Sequence, residues 1–86
     1  MEKYRISSLC GGNDYIVRFE RSFDMNKLKN IIGKKFKLGL ETDSVMRFLD
    51  NNKIITVFNY GEIVFSGFTI DDVKMICEEI IKELGI

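Results

Sequence analysis

Histidine, proline, tryptophan, alanine and glutamine are all absent from this 86-residue chain, and cysteine occurs twice, at Cys10 and Cys77. Without histidine there is no His-based catalytic triad. Two cysteines far apart and outside any CxxC pair leave no ligand set for zinc, haem or an iron–sulfur cluster, so neither metal chemistry nor a cofactor is expected. Long apolar runs are lacking too. Most are two residues long, far short of the roughly 20 needed to cross a bilayer, and a membrane partner is not expected. Neither sign of charge is in excess: 13 Lys+Arg balance 13 Asp+Glu, which gives no overall pull toward nucleic acid or acidic lipid. No stretch is Pro- or Ser-rich, no run exceeds two like charges and no internal repeat appears, so residues 1–86 read as a single domain without a linker. The opening Met1 to Ser8 lacks the apolar centre of a signal peptide, which points to a reducing, cytoplasmic setting where both cysteines stay thiols.

What is present is a well-patterned set of elements. Ile70, Val73, Ile76, Cys77, Ile80, Ile81 and Leu84 follow helical spacing, with Asp71, Asp72, Lys74, Glu78, Glu79, Lys82 and Glu83 between them. Thr69 is placed to cap that helix, Phe68 to staple onto Val73, and Gly85 to end it. Upstream, Ile54 to Phe58 and Glu62 to Ser66 are β-branched and aromatic runs around Asn59-Tyr60-Gly61, which reads as a hairpin. A turn at Asp50 to Lys53 joins the first of these to a strand near Ser44 to Leu49. Lys34 to Leu40 is a weaker strand. Met25 to Ile32 is a short amphipathic helix between Asp24 as N-cap and Gly33 as stop. Tyr15 to Glu20 alternates as a half-buried strand, and residues 3–9 are available for one more. The expected class is α+β: an antiparallel sheet of five or six strands with two helices on one face.

The last hairpin is apolar on both sides. Ile55, Val57, Ile63 and Phe65 point one way, while Ile54, Thr56, Phe58, Val64 and Ser66 point the other. Two helices cover only one face of such a sheet, so the second side is expected either to be a binding surface or to be covered by the chain itself, as by its N-terminal segment. The Gly11-Gly12-Asn13-Asp14 stretch lacks the spacing of a phosphate-binding loop and reads as a turn. Lys27, Lys29, Lys34, Lys35 and Lys37 form the one basic cluster, a solvated helix end or a phosphate contact at the rim of the sheet. Cys77 reads as a small core hydrophobe, and Cys10 has no neighbouring basic group to activate it.

Three segments together resemble one repeat of the TATA-box-binding protein family: Val45-Met46-Arg47-Phe48-Leu49, Lys53-Ile54-Ile55-Thr56-Val57-Phe58 and Gly61-Glu62-Ile63-Val64-Phe65-Ser66-Gly67. That family has an apolar strand ending in Arg, a strand ending in Ile-Phe, and then Ser-Gly-Lys-(Ile/Met)-Val-x-Thr-Gly. The likeness is ungapped from Val45 to Gly67. It extends loosely to Phe23 to Leu28 at the first helix and to Glu83-Leu84-Gly85-Ile86 at the close. What the resemblance implies is a half-saddle fold and a role in transcription, with the concave sheet lying in the DNA minor groove. On that reading Phe58 is a kinking wedge, Val64 and Ser66 touch the groove floor with Thr56 beside them, and Arg47 meets phosphate. A full saddle would take two chains, so the resemblance also implies a homodimer, with the edge strand near Tyr15 to Glu20 as its seam.

Two residues depart from the family pattern. Glu41 stands where the resemblance implies a second wedge, and Glu62 where it implies a lysine. Carboxylates there repel phosphate and favour the alternative, a protein-interaction or regulatory module that keeps the fold without DNA. RNA or an RNA–DNA hybrid is a third ligand class. No residue pattern supports catalysis, so a non-enzymatic module is expected.

Overall fold

The structure is a computed structural model that describes residues 3–9 and 12–85, so Cys10 and Ile86 lie outside the described residues. The chain runs β1 (Tyr4–Leu9), β2 (Asp14–Phe19), α1 (Met25–Ile32), β3 (Lys37–Glu41), β4 (Val45–Asp50), β5 (Lys53–Phe58), β6 (Glu62–Ser66) and α2 (Ile70–Leu84). The strands form one six-stranded sheet in the order β1-β2-β6-β5-β4-β3, and every neighbouring pair is antiparallel. The class is α+β as expected, and within residues 3–9 the segment Tyr4–Leu9 supplies the sixth strand.

Local chemistry sets the turns and helix ends. Asn51, at φ 54°, occupies the left-handed region in the two-residue loop between the paired Asp50 and Lys53. Gly61, at φ 109°, closes the β5–β6 hairpin, where a Cβ would lie 2.2 Å from the Arg21 carbonyl oxygen. Asp24 accepts hydrogen bonds from the Asn26 and Lys27 amides, and Thr69 from the Asp72 amide, which satisfies otherwise unpaired donors at each helix start. Gly85 ends α2 in the left-handed conformation, its amide donating to the Ile81 carbonyl.

One core holds these elements together. The sheet contributes alternate residues of its inner strands, Val17, Phe19, Met46, Phe48, Ile55, Val57, Ile63 and Phe65, all buried. The helices answer with Leu28, Ile31 and Ile32 from α1 and Val73, Cys77 and Ile80 from α2, and Phe23 and Phe68 fill the ends. Each such side chain gains about 1.5–3 kcal/mol on burial, which decides the face the helices cover. Tyr4 binds β1 to this layer: its ring lies 5.5 Å from that of Phe19, and its hydroxyl donates to Glu78 of α2 at 2.7 Å.

Two expectations are corrected. The strand read from Lys34 begins only at Lys37, because the Lys35 and Phe36 amides fold back onto the Ile32 carbonyl and extend the turn after α1. The strand at Tyr15 to Glu20 is not an edge and offers no seam. β2 lies between β1 and β6, so both of its sides are already paired within the chain.

Candidate functional site

Opposed residues in an antiparallel ladder share a face, so the pairing registers lay out the helix-free side of the sheet row by row. The middle row runs Ser7, Ile16, Val64, Thr56, Arg47, Leu40. On one flank lies Arg5, Arg18, Glu62, Phe58, Val45, and on the other Leu9, Asp14, Ser66, Ile54, Leu49, Lys37. All five residues singled out from the sequence, Arg47, Thr56, Phe58, Val64 and Ser66, therefore fall on this one face. Phe58, Thr56, Val64 and Ser66 are half-buried and Arg47 is exposed.

Polar contacts on the face are few. Ser66 donates its hydroxyl to Asp14 at 2.9 Å. Arg18 and Glu62 form an ion pair at 3.6 Å. Phe58 stacks on Tyr60, centroids 5.5 Å apart, so its ring is steadied at the end of the hairpin. The strands present four cations here, Arg5, Arg18, Lys37 and Arg47, against two carboxylates, Asp14 and Glu62. A chain of zero net charge thus keeps a positive face, with its negative balance elsewhere.

Glu41 is corrected to the other side. The β3–β4 register slips between Leu38 and Leu40, a bulge at Gly39, and this reverses the alternation beyond it. Leu40 then lies opposite Arg47 on the helix-free face, while Glu41 lies opposite buried Met46 and meets Lys29 of α1 at 3.1 Å. The basic cluster is largely consumed in the same way. Lys34 pairs with Glu83 at 3.6 Å and Lys35 with Glu79 at 3.4 Å, which ties the turn after α1 to α2, and only Lys37 of that group belongs to the sheet face.

Residues that sequence reasoning missed are Leu40, Arg5, Arg18 and Ile16. A glycine inside a strand pattern is a recognised bulge signal, and Gly39 was the clue to Leu40. Arg5 and Arg18 carried no such signal, because their adjacency depends on β1 pairing with β2. Cys77 takes no part. Burial, with a smaller contribution from nearby Glu78, pushes its thiol up to about 12, so it stays protonated and non-nucleophilic at neutral pH.

Chemically, the face offers a shallow apolar and hydroxyl-bearing floor with guanidinium groups along it. No helix of the described residues is long and apolar enough to cross a membrane. No family model, no curated protein and no solved structure matches this chain.

Proposed function

We propose that the chain is a non-enzymatic binding module whose helix-free sheet face takes double-stranded DNA along the minor groove. The observation that carries this reading is the middle row, where Ile16, Val64 and Thr56 make an uncharged floor that ends in the exposed guanidinium of Arg47. A floor of that kind suits base edges in a groove poor in hydrogen-bond variety, and cations beside it suit the phosphates that border the groove. With Glu41 turned to the helix side, one of the two carboxylates that argued against DNA is off the face, and the other, Glu62, is matched by Arg18. The resemblance over Val45 to Gly67 supports the same assignment, with Phe58 as the wedge, Val64 and Ser66 as floor contacts and Arg47 as a phosphate contact.

Duplex binding measured across a salt series tests it. Affinity is expected to fall linearly with the logarithm of salt, and Arg47→Ala to lessen that slope by about 1. Phe58→Ala, checked to be folded, is expected to weaken binding at least about tenfold, the loss of one partly unstacked base step. Absence of binding at low salt, or an unchanged affinity in Phe58→Ala, overturns the reading.

A second reading, docking of a protein, is favoured by one feature of the same face. Leu40, Leu49 and Ile54 are 45%, 43% and 36% exposed, and Leu49 lies directly opposite Ile54. Charge separates the two readings, because Glu62→Lys strengthens duplex binding if the face meets phosphate and leaves it unchanged if the face meets protein.

A further inference from the structure

A sheet that is open at both ends has two edges, and in this chain they differ. The β3 edge is short, its ladder is broken at the Gly39 bulge, it begins with Lys37, and Glu41 at its end is drawn to α1 by Lys29. Bulges and charges of that kind discourage a further strand. Among the described residues the β1 edge has none of these guards. Its six residues, Tyr4–Leu9, pair with β2 in an unbroken register, and they include neither glycine nor proline and a single charge, Arg5.

The geometry points to a second copy of this chain as the partner of β1, the two joining antiparallel, edge to edge, into one continuous sheet. Self-pairing is restricted by parity. Both copies keep their helices on the same side only when residues of like parity are opposed. Centred on Ile6, the pairing sets Ile6 against itself on the helix side, Tyr4 against Ser8, and Arg5 against Ser7. Ile6 is only half-buried in one copy, packed against the core on one flank, and this register covers the other flank with a matching apolar group. Centred on Ser7, the alternative sets Ile6 against Ser8 and leaves both half-covered. No like charges face each other directly in the Ile6 register.

The join also changes the helix-free face. Arg5 lies directly opposite Arg18 within each copy, and Glu62 offsets only one of the two. The seam therefore gathers Arg5 and Arg18 of both copies at the centre of the doubled face. Diagonal neighbours across strands stand about 7–8 Å apart, inside the Debye length of about 10 Å at 0.1 M salt. The dimer is consequently opposed by its own charge at low salt and strengthened as salt rises. Contact with a polyanion has the reverse dependence, so the dimer and the DNA reading stand or fall separately.

Sedimentation of the full chain up to about 1 mM, at salt of about 0.05 and about 0.5 M, tests the inference. A concentration-dependent dimer is expected, several-fold tighter at the higher salt, with amides of β1 and not of β3 gaining protection from hydrogen exchange as it forms. Ser7→Arg changes an exposed residue that faces Arg5 of the other copy in this register, so the seam would set like charges directly against each other. It is expected to remain a folded monomer. Arg5→Ser is expected to dimerise tightly at both salts. A wild type that is monomeric throughout at high salt, a Ser7→Arg variant that dimerises as the wild type does, or protection confined to β3 overturns the inference.

Discussion

Glu62 of β6 and Arg18 of β2 stand directly opposite each other on the helix-free face and pair at 3.6 Å, with the glutamate side chain 18% exposed and the arginine 72%. A pair open to solvent on one side contributes only about 0–1 kcal/mol to stability, so its main effect is on the charge of the face. Glu62→Gln removes one negative charge there and frees Arg18. Glu62→Lys adds a cation as well. On the DNA reading, duplex affinity rises in that order and the salt slope of Glu62→Lys steepens by about 1, measured by the same titration. An unchanged slope places phosphate elsewhere.

Gly61 is the position where an added methyl group is least tolerable. At φ 109° its Cβ would lie 2.2 Å from the Arg21 carbonyl oxygen and 2.9 Å from that of Phe19, and both are backbone atoms that cannot swing aside. The Gly61 carbonyl also accepts from the Phe19 amide at 2.8 Å, so any shift costs a bond between the hairpin and β2. Gly61→Ala is expected to cost about 2 kcal/mol or more, seen as a melting temperature lower by about 8 °C or more. Gly12→Ala, with nothing within 4 Å of its added Cβ, serves as the control and is expected to be near neutral.

Much of this architecture was legible because it is written locally. The alternation in Lys53 to Phe58 and Glu62 to Ser66 sorts Ile55, Val57, Ile63 and Phe65 into the core, and the structure buries those four. Thr69, Asp24 and Gly85 act at the helix ends as their side chains, or the lack of one, dictate. What was not legible depends on pairing between distant segments. Nothing in Tyr4 to Leu9 states that it will take the outer side of β2, and that choice converts Tyr15 to Glu20 from a seam into an interior strand. The side on which Glu41 falls depends on a single slip at Gly39, since one extra residue reverses every side chain beyond it.

Cys77 makes a pH-dependent contribution whose sign follows from its burial. Its thiol is raised from 9.0 to about 12 in the folded chain, chiefly by desolvation. Between those values the unfolded state releases a proton that the folded state keeps, so the unfolded state is favoured as pH rises. The stabilisation from keeping Cys77 protonated is complete below pH 9 and declines from there toward pH 12. In a Cys10→Ser background, thermal melts are expected to fall more steeply above pH 9 than those of Cys10→Ser/Cys77→Val. In the same background iodoacetamide is expected to modify Cys77 only as fast as the chain opens. Rapid alkylation of the folded chain would contradict the buried thiol.

The bulge at Gly39 makes opposite forecasts for two adjacent residues. Leu40, 45% exposed, lies beside Arg47 on the helix-free face, whereas Glu41 lies on the helix side and pairs with Lys29 at 3.1 Å. Both partners of that ion pair are about two-fifths exposed, so losing it costs no more than about 0.5 kcal/mol. Glu41→Ala is therefore expected to leave duplex affinity unchanged and stability nearly so. On the DNA reading, Leu40→Glu puts a carboxylate next to the Arg47 guanidinium and is expected to weaken duplex binding by about tenfold while the chain stays folded, because an exposed leucine on an edge strand has little packing to lose. Measured side by side, the two variants report which residue faces the ligand. A gain in Glu41→Ala with no loss in Leu40→Glu would mean that β3 runs in regular alternation without the bulge, and the carboxylate would return to the face where it opposes DNA.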